Sequence, residues 1–137
     1  MTRNLGLVVA KYHSEITGKM REKAEEAAED NGAEVQTVIK VPGSFDTPLA
    51  AQKLAEKEKI DAVTVMGAIV KGDTDHDQII GHSTAKTLQE ISLETETPVT
   101  MAITGPGMTA EEAYERIDYS YDAVESALEM VEELDRA

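Results

Sequence analysis

Residues 72–77 read Gly-Asp-Thr-Asp-His-Asp and set one of only three histidines between two carboxylates. An imidazole can take up and return a proton near neutral pH. His76 is therefore a candidate for proton transfer, with Asp75 or Asp77 beside it to tune it. Two other readings stay open on the same residues: a solvated histidine at a helix start, or a metal site shared with Asp73, Asp75 and Asp77. Against the metal, consecutive Asp-His-Asp side chains on a helix diverge, and no second cluster at ligand spacing accompanies them. Gly72-Asp73-Thr74 ahead of a helix can offer backbone N–H groups to a phosphate, although Asp73 and Asp75 oppose an anion there. Tyr12 and Phe45 can cover the end of a sheet or stack on a planar heterocycle. His13, next to Tyr12, reads as loop filler or ligand contact, and His82, off the face of His76, as a satisfied or surface residue.

The elements that must position these residues alternate regularly. Leu5 to Ala10 (LGLVVA) is an apolar run of strand length. Ser14 to Asn31 reads as a helix capped by Ser14, with Ile16, Met20, Ala24 and Ala27 on one face and Gly32 to end it. A second strand, Glu34 to Val41, closes at Pro42-Gly43. Ser44 can cap the next helix, where Pro48 is tolerable in the first turn and Leu49, Ala51, Leu54 and Ala55 face inward. Asp61 to Val70 is the third strand. The third helix spans Thr74 to Glu94 with Ile80, Thr84, Leu88 and Ile91 as its stripe. Pro98 to Thr104 is the fourth strand, which Gly105-Pro106-Gly107 breaks. Thr109 and Glu112 have capping-box spacing, and Ala113, Ile117, Val124, Leu128 and Val131 carry the last helix inward. The order βαβαβαβα with continuous apolar strands is an α/β fold, with a four-stranded parallel sheet buried between helices on both faces.

Composition limits the function. At 137 residues the chain suits a single domain, 1–137. The absence of cysteine excludes disulfide and thiolate chemistry. No segment resembles a signal peptide or spans a membrane, so the expected location is cytoplasmic. A net charge of −14 repels phosphate backbones and anionic lipids, which argues against nucleic-acid or membrane partners. The acidity serves solubility, or adaptation to high internal salt.

In open parallel sheets ligands bind beyond the carboxyl ends of the strands. The segments leaving those ends (10–13, 41–46, 67–76 and 104–108) hold the only Phe, two of the three His and five of the nine Gly. The amino-end connections, such as AEKEKID (55–61), hold only surface charges. The site therefore belongs at the carboxyl edge.

VPGSFDTPLAAQKLA (41–55) and GAIVKGDTDHDQII (67–80) resemble the two signature stretches of the lumazine synthase family of riboflavin biosynthesis. AKYHSEIT (10–17) and MTAEEAYERID (108–118) match that family's remaining site segments in order and spacing, and TGPGMT (104–109) resembles its archaeal branch. The resemblance covers the whole chain. It implies a flavodoxin-like three-layer α/β/α sandwich that associates into pentamers, in some members into sixty-subunit shells, with the sites between subunits. The implied reaction condenses two small-molecule substrates, 5-amino-6-(D-ribitylamino)uracil and 3,4-dihydroxy-2-butanone 4-phosphate. It releases phosphate and water, with no metal or organic cofactor.

By position, the resemblance assigns proton transfer to His76 and stacking on the pyrimidine to Tyr12. Ser44 and Phe45 would contact the heterocycle and its ribityl chain, Asp46 (usually Glu) the ribityl hydroxyls, and Ile69 the pyrimidine through its backbone. Met101 stands where many members carry an aromatic residue. Gly72, Asp73 and Thr74 would lie along the phosphate, and Arg116 of the adjoining subunit would pair with it. Because no basic residue lies between Arg116 and Arg136, Lys71 joins this set. Two alternatives use the same fold: the related archaeal riboflavin synthase, and a flavin- or nucleotide-binding module without catalysis. The TDHD segment and Arg116 follow the synthase pattern, and a binding module gives no reason for His76.

Overall fold

Leu5 to Ala10 are all buried, and so are Ala62 to Ile69. Strands with no exposed face must be covered on both sides. In the computed structural model, which describes residues 2–137, these runs are the central strands β1 (Asn4–Ala10) and β3 (Ala62–Val70). The half-exposed β2 (Glu34–Val41) and β4 (Val99–Met108) lie outside them, and all four run parallel in the order β2-β1-β3-β4. That is the order of a flavodoxin-like sheet without its fifth strand.

Helices α1 (Ser14–Asp30) and α5 (Tyr119–Arg136) cover one face through Ile16, Met20, Ala24, Val124 and Leu128, packed on Leu5, Leu7 and Met66. Helices α2 (Thr47–Ala55) and α3 (His76–Thr95) cover the other through Ala51, Leu54, Leu88 and Ile91, packed on Val8, Val63 and Val65. The expected three-layer sandwich is the observed one. No helix among the described residues is long and apolar enough to cross a membrane.

Five local expectations differ from what forms. Leu49 is 79% exposed, because Thr47, Ala50, Ala51, Leu54 and Ala55 share the inward stripe of α2 and position 49 falls opposite it. Ser14 does not cap α1. It is already helical, and His13 occupies the cap position. Nor does Ser44 cap α2: Ser44–Asp46 forms a single 3-10 turn and Asp46 precedes the helix.

Gly105-Pro106-Gly107 does not end β4. Gly105 and Gly107 take φ of +95° and +79°, so the strand bulges and continues, with Val70 opposite Met108. A Cβ at Gly105 would lie 2.3 Å from the Ile69 carbonyl oxygen, so only glycine fits there. The last helix is two helices, α4 (Ala110–Tyr114) and α5, joined through 3-10-type turns at residues 115–118. The buried Ser120 sits at this break, its hydroxyl 2.7 Å from the Met20 carbonyl of α1 and 2.8 Å from that of Ile117.

Two glycines separate strain from crowding. Gly32, at φ +68°, has open space around it, so Gly32→Ala carries only the left-handed backbone, about 1–2 kcal/mol. Gly105→Ala must also displace a strand carbonyl, and should cost on the order of 3 kcal/mol or more. Urea denaturation of the two variants checks this; equal losses would mean the bulge accommodates a methyl group.

Candidate functional site

Two strand exits form the first wall. The Lys11 N–H donates to the Val41 carbonyl at 2.8 Å and the Tyr12 N–H to that of Pro42 at 3.0 Å, which ties the end of β1 to the end of β2. A Cβ at Gly43 would stand 2.8 Å from the Tyr12 ring, so glycine is what lets the ring lie across this exit. Tyr12 and Phe45 are 65% and 61% exposed, the most exposed of the chain's aromatic rings.

Asp46 folds back, its Oδ2 accepting from the Gly43 N–H at 3.0 Å, which holds the carboxylate in place and leaves its other oxygen unclaimed by that bond. Ser44 is buried, with its Oγ pressed against Gly67 of β3 and no hydrogen-bond partner among the described residues. Any contact it makes with a ligand falls to its backbone.

The exit of β3 forms the second wall. The Lys71 N–H donates to the Met108 carbonyl at 2.7 Å, after which Gly72 to Asp75 run exposed until α3 begins at His76. The Thr74 hydroxyl accepts from the His76 N–H at 3.3 Å. Asp77 turns inward. It is 5% exposed, and its Oδ2 accepts from the Gly107 N–H at 2.8 Å, fastening the first turn of α3 to the β4 bulge. Between the walls lies a cleft of about 270 Å³. Asp46, Asp77, His13 and His76 line it, and no lysine or arginine does. Among the described residues, no three carboxylates and imidazoles gather as a metal site.

The chain matches the 6,7-dimethyl-8-ribityllumazine synthase family over residues 2–135. It belongs to that family. Among similar proteins are the 6,7-dimethyl-8-ribityllumazine synthases of Halobacterium salinarum, 52% identical over 98% of this chain and 100% of the relative, and of Halorubrum lacusprofundi, 50% identical over 96% and 98%. The enzyme of that name from Methanocaldococcus jannaschii is 47% identical over 96% of this chain and 93% of the relative.

The residues singled out by resemblance to lumazine synthases fall into two groups. Tyr12, Ser44, Phe45, Asp46, Ile69, Gly72, Thr74 and His76 converge on the cleft. Lys71, Asp73, Met101 and Arg116 do not line it. Met101 is 44% exposed on the outer strand β4. Arg116 lies in the turn between α4 and α5, where its Nη1 donates to the Glu112 carbonyl at 2.7 Å. That turn follows a completed capping box, in which the Thr109 backbone and hydroxyl hold the Glu112 carboxyl below its ordinary range.

Three cleft features lie outside the set that the resemblance assigns: His13, which the sequence reads as loop filler or ligand contact, Gly43, and Asp77, which it reads as a neighbour that tunes His76 or a metal ligand. Asp77 had a usable signal, because positions 77, 81, 84 and 88 lie on one buried face of α3. A carboxylate there needs an internal donor.

Asp77→Ala removes the carboxylate that accepts from the Gly107 N–H in a part-buried hydrogen bond and should cost about 1–3 kcal/mol. Asp77→Asn keeps an oxygen in the same place and should cost less than half as much. Urea midpoints, with amide exchange at Gly107, test both. An unprotected Gly107 amide in the wild type would deny the tether.

Proposed function

We propose that this protein is a cytoplasmic transferase of riboflavin biosynthesis, condensing 5-amino-6-(D-ribitylamino)uracil with 3,4-dihydroxy-2-butanone 4-phosphate to 6,7-dimethyl-8-ribityllumazine. The observation that carries the reading is the cleft itself. Exposed aromatic rings, a held carboxylate and a helix-start imidazole share it, in a chain of the lumazine synthase family.

Tyr12 and Phe45 take the pyrimidine ring between flat surfaces, and the Ile69 backbone fixes its edge. The free oxygen of Asp46 accepts from a ribityl hydroxyl, with the Gly43 bond preventing the carboxylate from turning away. The amine attacks the ketone, and loss of water gives an imine. Elimination expels inorganic phosphate, and the second nitrogen then closes the ring with loss of another water. Every step moves protons between nitrogen, carbon and oxygen. His76, exposed at the start of α3, takes and returns them.

The phosphate lies along Gly72 to Thr74, whose N–H groups precede α3. A phosphate also requires cations, and the cleft walls have none. Lys71 is close in sequence, and the bidentate partner is Arg116 of an adjoining copy, brought with Met101 to complete the cleft in a pentamer. At about 270 Å³ the cleft of one chain is small for both substrates together, which supports completion by a second chain.

Incubation with both substrates should yield the lumazine and inorganic phosphate in equal amounts. Riboflavin formed from the lumazine alone would identify the related synthase instead. His76→Ala should slow turnover about 100- to 10,000-fold while pyrimidine binding stays near normal, since positioned proton transfer contributes about that much. Loss of pyrimidine binding, measured by calorimetry, would assign His76 to structure.

Mixing denatured Arg116→Ala and His76→Ala chains and refolding them together should recover part of the activity, because some interfaces would pair an intact Arg116 with an intact His76. No recovery in assemblies shown to be mixed would place both residues in one chain's site.

A further inference from the structure

His13 is the cleft residue that the reaction above leaves without a task. Its backbone stands at φ 62° and ψ 52°, and among the described residues Glu96 is the only other non-glycine with positive φ. Glu96 closes α3, where a left-handed residue is a common way to end a helix. His13 opens α1, where the cap residue is ordinarily extended and lends its side chain to the first free N–H groups. It makes no such side-chain bond. Its carbonyl accepts from the N–H groups of Ile16 at 2.9 Å and Thr17 at 3.0 Å, a task that any residue's backbone performs. Glycine would hold the same backbone without the steric conflict that a Cβ brings.

The side chain accounts for a histidine here. It is half-buried, it lines the cleft next to Tyr12, and no hydrogen bond joins its ring to another described residue. A left-handed backbone at a residue that lines a cleft, with its side chain unpartnered, is a pattern of functional strain. We propose that His13 is a ligand-positioning residue, whose imidazole hydrogen-bonds the polar edge of the planar nitrogen heterocycle stacked on Tyr12. A neutral imidazole offers one donor and one acceptor, which matches the alternating N–H and carbonyl edge of a pyrimidinedione. His13 and Tyr12 leave β1, whereas His76 follows β3. His13 therefore governs how the heterocycle is held, and His76 the protons moved on it.

The proposal deepens the functional reading and rests on it, so the test separates the two. Wild-type, His13→Gly and His13→Asn proteins are titrated with 5-amino-6-(D-ribitylamino)uracil alone by calorimetry, and their thermal midpoints and turnover are measured. His13→Gly relieves the backbone, so its midpoint should equal or exceed that of the wild type. Its affinity for the pyrimidine should nevertheless fall about 3- to 10-fold, the range of one neutral hydrogen bond. The KM for the butanone phosphate should stay within about 2-fold, and kcat should fall far less than in His76→Ala. Asparagine tolerates the left-handed region and carries a donor and an acceptor, so His13→Asn should recover most of the affinity.

Unchanged affinity in His13→Gly would overturn the proposal, and so would a loss accompanied by a lower midpoint. If the wild type binds the pyrimidine without making lumazine, and His13→Gly weakens that binding, the positioning role stands while the catalytic reading falls. No pyrimidine binding by the wild type would end both.

Discussion

The chain must cover both faces of β1 and β3 with helices, and it does so in opposite directions. From β1 the backbone turns toward the face held by α1 and α5; from β3 it turns toward the face held by α2 and α3. Two adjacent parallel strands whose continuations part leave a gap beyond their carboxyl ends. Tyr12 and His13 line that gap from one side and Ile69, Gly72, Thr74, His76 and Asp77 from the other because of this divergence. The cleft thus follows from apolar burial. Changing its chemistry requires new residues on its two walls, and the sheet can remain as it is.

Charge then decides what the cleft can hold unaided. The chain carries 27 acidic and 13 basic residues, and none of the basic ones reaches the cleft. Its two carboxylates are each fixed by a backbone N–H, Asp46 by Gly43 and Asp77 by Gly107. These bonds position the carboxylates without neutralising them. A flat, uncharged heterocycle suits such a wall by itself, whereas an anion needs cations supplied from beyond it.

How much of this was legible in the sequence depended on whether the signal was periodic or geometric. The four strands, the inward stripe of α1 and the carboxyl-edge placement of the site could be read from apolar runs and residue asymmetry. So could the gathering of Tyr12, Phe45, Asp46 and His76. The helix break before Ser120 was not legible, because it depends on a hydroxyl meeting the Met20 carbonyl one hundred residues away in sequence. The glycine pair at 105 and 107 looked like a strand stop, since sequence shows their permitted conformations and not the β3 backbone beside them. Leu49 reads as inward in the sequence because alanines carry a weak signal, yet four small residues and Leu54 define that face. The left-handed state of His13 has no periodic signature at all.

The bond between Asp77 and Gly107 spans 30 residues of chain. It joins the helix that begins with His76 to the strand that is laid down last in the sheet's sequence order. Any state of the chain in which β4 has not yet paired with β3 leaves this carboxylate without its donor and the His76 turn without its fastening. A polypeptide emerging residue by residue therefore presents the His76 turn before the strand that fastens it. The His76 turn gains its fastening only when β4 joins the sheet.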